Sequence, residues 1–287
     1  MIKVMELSRI NPFIGGSEEI FISCKVEAEH GNAQAQYILA LMYDAGEGTE
    51  QDKQKAAYWY TKAAEQGKSG AQYNLADMYY NGDGIEQDKQ KALYWYTKSA
   101  EKGELDAQHS LAFMYNKGDG VKQDMLKAVY WYTKAAEQGF SQAQFNLALI
   151  YDGGDGIEQD KQKALYWYTK AAEQGHSSAQ NNLAVLYDNG DGIKQDKQKA
   201  GYWYTKSALK GESIAQYNLA LMYDDDIERM VYWYKKAAEQ GHSQAQYNLA
   251  LIYDQGDGVE QNKLLANEYF KQSCEQGFEK ACNKLKE

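Results

Sequence analysis

Tryptophan recurs in this chain with a fixed period. It stands at Trp59, Trp95, Trp131, Trp167, Trp203 and Trp233, in four steps of 36 residues and one of 30. A further step of 36 lands on Tyr269. Alanine keeps the same rhythm at Ala35, Ala71, Ala107, Ala143, Ala179, Ala215, Ala245 and Ala281. A repeat of this length is one supersecondary unit that cannot bury its apolar face alone. Stacked neighbours must share a core laid out along an axis.

Each unit reads approximately S-x-A-Q-Y-N-L-A-L-M-Y-D-x-G-D-G-I-x-Q-D-K-Q-K-A-x-Y-W-Y-T-K-A-A-E-Q-G. Two helices are visible in it. Helix A opens on S-x-x-Q, at Ser69/Gln72, Ser141/Gln144, Ser177/Gln180, Ser213/Gln216 and Ser243/Gln246. This spacing predicts a capping box, with the serine oxygen accepting a first-turn N–H and the glutamine reaching back. Leu75, Ala76 and Tyr79 then form one apolar face. A glycine-rich D-x-G-x-G segment ends helix A, and Asp88 and its equivalents are placed to cap helix B. Helix B carries Ala92, Trp95, Tyr96, Ser99 and Ala100 on one face, and Gly103, Gly139 and Gly175 stand where it must end at positive φ. Proline occurs once, at Pro12, which suits an all-helical chain.

Seven A–B pairs run from 33 to 278. An extension, 1–17, and a capping half-repeat of the helix-B type, 18–32, precede them; a capping helix, 279–287, follows. The sixth pair is shorter near 224–230, where DDDIERM replaces the glycine loop and the first turn of helix B. A short A–B connection and a local change of curvature are expected there.

The pattern A-x-x-x-L-A-x-x-Y-x-x-G-x-G-x-x-x-D-x-x-K-A-x-x-W-Y-x-K-A-A-x-x-G holds nearly throughout from Ala33 to Phe278. It resembles the Sel-1-like repeat family, relatives of the tetratricopeptide repeats. The resemblance implies an all-α, right-handed superhelical solenoid that acts as a scaffold or adaptor in protein–protein interaction. Cys274 and Cys282, eight residues apart, resemble the C-x7-C pair of the Helicobacter cysteine-rich proteins, secreted members of this family whose pairs staple adjacent helices. That likeness implies a disulfide; a reducing cytoplasm would leave two thiols.

Comparison with the tetratricopeptide repeats places the second face of helix A on the inside of the superhelix. Its columns read Tyr37, Tyr73, His109, Phe145, Asn181, Tyr217, Tyr247; then Ile38, Asn74, Ser110, Asn146, Asn182, Asn218, Asn248. Then come Leu41, Asp77, Phe113, Leu149, Val185, Leu221, Leu251, and finally Asp44, Tyr80, Asn116, Asp152, Asp188, Asp224, Asp254. Aromatics offer contact area at low entropy cost. Asparagine amides can donate to and accept from a peptide backbone. An aspartate column favours a ligand with basic residues. The candidate partner-binding residues are therefore Tyr73, Asn74, Asp77, Phe145, Asn146, Leu149, Asn182, Tyr217, Asn218, Tyr247 and Asn248, facing a basic and apolar segment of a partner protein.

Catalysis needs convergent groups, and none is apparent, so no enzyme activity and no cofactor are expected. His176 and His242 read as solvated turn residues, too far apart to share a metal. In D-x-G-D-G, glycine occupies two positions where a calcium loop needs oxygen ligands, so the segment reads as a turn. A net charge of −10 argues against nucleic acid. No apolar run is long enough to span a membrane. The opening MIKVMELSRINPFIGG has no signal-peptide h-region, which favours the cytoplasm; a trimmed start would leave export open. A monomer is expected.

Overall fold

The computed structural model describes residues 16–286, which hold sixteen helices and no strand. They fall into two compact units that divide between residues 143 and 144. The first holds α1 (Ser17–Glu29), α2 (Ala33–Ala45), α3 (Lys53–Glu65), α4 (Ser69–Asn81), α5 (Lys89–Ala100), α6 (Leu105–Lys117) and α7 (Met125–Glu137). Starting with α8 (Ser141–Gly153), the second adds α9 (Lys161–Glu173), α10 (Ser177–Asn189), α11 (Lys197–Leu209), α12 (Ser213–Leu221), α13 (Ile227–Glu239), α14 (Ser243–Gln255), α15 (Lys263–Glu275) and α16 (Glu279–Lys284). The expected extension, 1–17, lies outside the described residues as far as residue 15. From α2 on, helices alternate as A and B, each packed on the next within its unit.

The core follows the predicted faces. Leu75, Ala76, Ala92, Tyr96 and Ala100 are buried in the first unit; Leu183, Ala184, Ala200 and Tyr204 match them in the second. Alanine on both helices lets the backbones approach, and the helix-B tyrosine fills the space between successive pairs. The tryptophans are half-buried at the margins of these clusters.

Helix B starts as predicted. Asp88 accepts from the N–H groups of Gln90 and Lys91 at 3.0 Å, and its own N–H donates to the Tyr79 carbonyl at 2.8 Å, which fixes the loop. Gly82 ends α4 at φ 76°. Gly84, at φ 75°, is required twice over, because a Cβ there would lie 2.8 Å from the backbone oxygen of Lys53 in the preceding repeat.

Helix A does not start as predicted. The serines lie inside the helix, and the cap is the residue before each. Lys68, Glu104 and Glu212 make no side-chain cap, whereas His176 and His242 cap through the ring, Nδ1 accepting from the Ala179 and Ala245 N–H at 3.2 Å. The glutamine of S-x-x-Q is buried and reaches between helices instead. Gln72 donates to the Ala64 carbonyl at 3.0 Å, Gln108 to Ala100, Gln180 to Ala172, Gln216 to Ala208 and Gln246 to Ala238. Gln36 does the same to Ala28 of α1 at 3.1 Å, so α1 is in register as a helix B. The spacing fits both roles. Burial decides it, because a carbonyl near the end of helix B has no water to turn to.

The glutamine oxygen takes a second bond from the C-cap glutamine of the next helix B. Gln66 donates to Gln36 at 2.7 Å, Gln138 to Gln108 at 3.0 Å and Gln174 to Gln144 at 2.7 Å. Lys102 and Lys210 occupy this position in two repeats and reach only the carbonyls of Gly67 and Gly175. The oxygens of Gln72 and Gln180 are left buried without a partner, and so is that of Gln246, although Gln276 stands at the C-cap position of the last helix B.

The sixth repeat has the short A–B connection expected, but its other missing residues come from the end of helix A and not from the first turn of helix B. Helix B keeps 13 residues in α13, while α12 has only 9, against 13 in the A helices of the other six repeats. The A–B connection shrinks to residues 222–226, where the preceding repeats with full-length A helices use seven, as in 82–88. Asp226 still caps α13, accepting from the Arg229 N–H at 3.1 Å.

Lys102→Gln and Lys210→Gln should each satisfy a buried glutamine oxygen. Gln66 shows that one amide can hold both the glycine carbonyl (3.0 Å) and the glutamine oxygen. We expect about 1 kcal/mol from each, read as a higher urea midpoint. An unchanged midpoint in the double variant would contradict the glutamine lattice.

Candidate functional site

The structure sorts the predicted binding columns by what they touch. The first column is half-buried and packs on the helix-B tyrosine that follows. Tyr73 lies 5.9 Å from Tyr96, Phe145 6.1 Å from Tyr168 and Tyr217 5.8 Å from Tyr234. Tyr247 sits between Phe270 at 5.7 Å and Phe278 at 5.1 Å. Burial pushes the Tyr73 phenol up to about 12.

The asparagine column is also half-buried, Asn146 included. Asn182 donates to the Tyr168 hydroxyl and Asn248 to that of Tyr234, each at 3.1 Å. Asn218 donates to Asn181 at 3.2 Å. Asn182 and Asn248 thus hold buried tyrosines, a role the spacing alone does not show.

The aspartate column is largely neutralised, which corrects the expectation of a free acidic stripe. Asp44 pairs with Lys53 at 2.6 Å, Asp152 with Lys161 at 2.7 Å and Asp188 with Lys197 at 2.5 Å. Asp44 and Asp152 also accept from Tyr60 and Tyr168. The lysine opens helix B, so each pair ties a repeat's two helices together. Asp77, one helical turn earlier in its repeat, is exposed and accepts from the Tyr96 hydroxyl at 3.1 Å.

The third column is what reaches solvent: Phe113 is 38% exposed, Leu149 41% and Leu221 49%. These large apolar side chains repeat at one register position on helix A.

Helix B carries a second exposed column. Tyr58, Tyr94 and Tyr130 in the first unit, and Tyr166, Tyr202 and Tyr232 in the second, are each about half exposed. Each meets the edge of the next tryptophan at 4.8–5.0 Å and lies under a lysine four residues on, Lys62 over Tyr58 at 5.7 Å for example. The signal was present in Y-W-Y-x-K, kept in the first six repeats, where the first tyrosine falls off the apolar face.

Histidine also departs from expectation. His176 stacks on Phe145 at 4.5 Å and His242 on Tyr217 at 4.6 Å, so both are half-buried caps rather than solvated turn residues. Burial lowers both pKa values. Among the described residues, no three His, Cys, Asp or Glu side chains gather into a metal-holding group, and no helix is long and apolar enough to cross a membrane.

Cys274 and Cys282 form a disulfide that ties α15 to α16. The pairing implied by the Helicobacter cysteine-rich proteins is the one present, not two thiols. Cys24 is a half-buried free thiol, its pKa raised by burial.

Paired helices repeating in register, with varied side chains on their outer faces, define a solenoid interaction module. The Sel1 repeat matches seven times, at residues 33–68, 69–104, 105–140, 141–176, 177–212, 213–242 and 243–278. The chain belongs to the Sel1 repeat family, whose members are generally protein-interaction scaffolds. A comparison with curated proteins finds no match. Among solved structures, the chain is similar to a protective antigen present in uropathogenic Escherichia coli strains and displaying an SLR fold. That likeness has 36% identity and a TM-score of 0.90 over 99% of this chain; the chain spans 62% of that structure's length. It is also similar to a Sel1 repeat protein from Oxalobacter formigenes, with 34% identity and a TM-score of 0.78 over 93% of this chain and 79% of that one.

Two tests follow. The histidine caps accept through an unprotonated Nδ1, and their folded pKa values lie below the ordinary value, so their stabilisation is complete above about pH 6.5. It falls away as pH drops toward the folded pKa values. His176→Asn with His242→Asn keeps a cap, since Asn32 caps α2 from the same position, and should flatten the pH dependence of the urea midpoint below pH 6.5. An unaltered slope would contradict the assignment. Reducing the Cys274–Cys282 bridge should cost about 2–3 kcal/mol, as expected for a loop this short, seen as faster amide exchange in α16 with α2–α6 unaffected. Equal protection in both redox states would count against it.

Proposed function

We propose that the helix-A face binds a segment of a partner protein and that the chain acts as a non-enzymatic scaffold or adaptor. The observation that carries this is the set Phe113, Leu149 and Leu221, large apolar side chains left in solvent at one register position while their neighbours are packed away. Large apolar side chains left exposed at the same position of successive repeats give each unit a candidate interaction surface. The half-buried aromatics Tyr73, Phe145, Tyr217 and Tyr247 flank that position and give a partner rigid surface. Asn182 and Asn248 hold tyrosines and contribute to contact only with what capacity remains. We propose also that α1 and α16 serve as caps, closing the apolar faces of the terminal repeats.

A second reading has specific support. Disulfides persist in oxidising compartments, and Cys274–Cys282 is formed. The similar E. coli structure is a protective antigen. An exported or surface-associated factor that binds a host or cell-envelope protein by the same face fits both facts.

The test is capture of partners from a native lysate and from an envelope fraction, with the parent and with Phe113→Ser, Leu149→Ser, Leu221→Ser combined. These side chains are exposed, so the fold should survive, as circular dichroism would check. Loss of a parent-captured partner by about tenfold or more is expected, since interface anchors typically contribute at least 1 kcal/mol each. Equal capture would move the site off this face.

A further inference from the structure

We infer that the first unit holds a pocket for a single cationic side chain, arginine or lysine, presented by the partner segment. The inference rests on the helix-A face being the binding face and adds what it recognises at one point. The pocket is a half-open cavity of about 190 Å³ between α4, α5 and α6, lined among others by Asp77, Tyr80, Tyr96, His109, Ser110 and Phe113.

The charge comes from a departure within the repeat. At the register of Asp77, the other six repeats hold an apolar residue, Leu41 and Phe113 among them. One turn later, where Asp44, Asp152 and Asp188 stand, this repeat has Tyr80. In those three repeats the aspartate neutralises the lysine that opens its own helix B. Here Lys89 turns to Asp119 of the next repeat, and the Tyr80 hydroxyl donates to the same carboxylate at 2.5 Å. Asp77 keeps one described polar contact, the Tyr96 hydroxyl at 3.1 Å, and no described cation pairs with it. The acidic charge has moved one turn along helix A into the groove and lost its internal partner.

The walls suit a cation. Tyr80, Tyr96 and Phe113 supply ring faces and edges, and an ammonium or guanidinium is attracted to ring faces. Tyr80 already shows this, with the Lys89 ammonium 5.4 Å from its ring centre. Burial lowers the pKa of His109, so near neutral pH it adds no positive charge. The field of Asp106 reaches both His109 and Tyr73, which makes the surroundings more negative. An aspartate within reach of a hydroxyl, with aromatic walls, repels an anion, and a neutral donor could hydrogen-bond to it without the charge attraction that a cation gains. A half-exposed ion pair fixes register more than it adds affinity. The pocket would therefore set where a basic residue of the partner must fall along an otherwise repetitive face.

The experiment is an NMR titration of the 15N-labelled full chain with N-acetyl-arginine methylamide, N-acetyl-lysine methylamide and the neutral isostere N-acetyl-citrulline methylamide. The account expects at least one cation to shift the amides of Asp77, Tyr80 and Phe113 and to saturate on the order of millimolar, as a few weak contacts allow. It expects citrulline to bind at least tenfold more weakly. Asp77→Asn, which keeps an acceptor for Tyr96, should weaken the cation at least tenfold, and Asp77→Leu, which installs the residue of other repeats, should do the same. Equal shifts with citrulline, or full binding by both folded variants, would overturn the pocket. If the apolar triple variant loses a captured partner while Asp77→Asn retains it, the binding face stands and the cation pocket falls.

Discussion

The constraint on which the rest of this structure depends is the buried glutamine near the start of the repeated A helices. Its amide donates to a carbonyl at the end of the preceding helix B, in Gln36, Gln72 and Gln108 of the first unit and in Gln180, Gln216 and Gln246 of the second. Each such bond is worth only about 1 kcal/mol net, yet leaving the carbonyl or the amide unpaired in the core costs more than that. One A helix therefore sits in one register on the helix before it. Alanine packing supplies proximity, and the glutamine supplies position. Because this restraint lies inside, the outer faces are free to vary without disturbing the stack.

Much of this was legible in the sequence. A 36-residue period in tryptophan and alanine dictated paired helices, the aspartate caps and positive-φ glycines fixed where helices start and stop, and the apolar faces followed from 3- and 4-residue spacing. The errors have a common cause. S-x-x-Q is compatible with a local cap and with a long-range staple, and only burial separates them. The same holds for His176 and His242, which look like turn residues until Phe145 and Tyr217 stack against them. DDDIERM was misassigned because the missing residues come from the end of α12 and the loop, which the unchanged Asp–Trp spacing of helix B implies once α13 is seen.

The functional face was less legible, again for a physical reason. Sequence columns identify residues that share a helical face but not how far the neighbouring repeat covers them. The asparagines and first-column aromatics are half covered by the tyrosines of adjacent helices, and most aspartates are held by lysines across the A–B turn. What stays exposed is the apolar third column on helix A and the tyrosine column on helix B. The two differ in a way that bears on function. Each helix-B tyrosine already has a tryptophan edge and a lysine ammonium against it, and it recurs almost unchanged. The helix-A column varies among leucine, valine, phenylalanine and aspartate, and variation on a fixed frame is what recognition of one particular partner requires.

Photocrosslinking from single sites separates these surfaces most directly. Benzoylphenylalanine would be placed at Phe113 and at Leu149 on helix A, and at Tyr94 and Tyr166 on helix B, in the full chain exposed to its native lysate and envelope fraction. Adducts to the same partner from positions 113 and 149, with none from 94 and 166, are what a helix-A binding face predicts. Adducts confined to 94 and 166 would contradict it and assign binding to the tyrosine column.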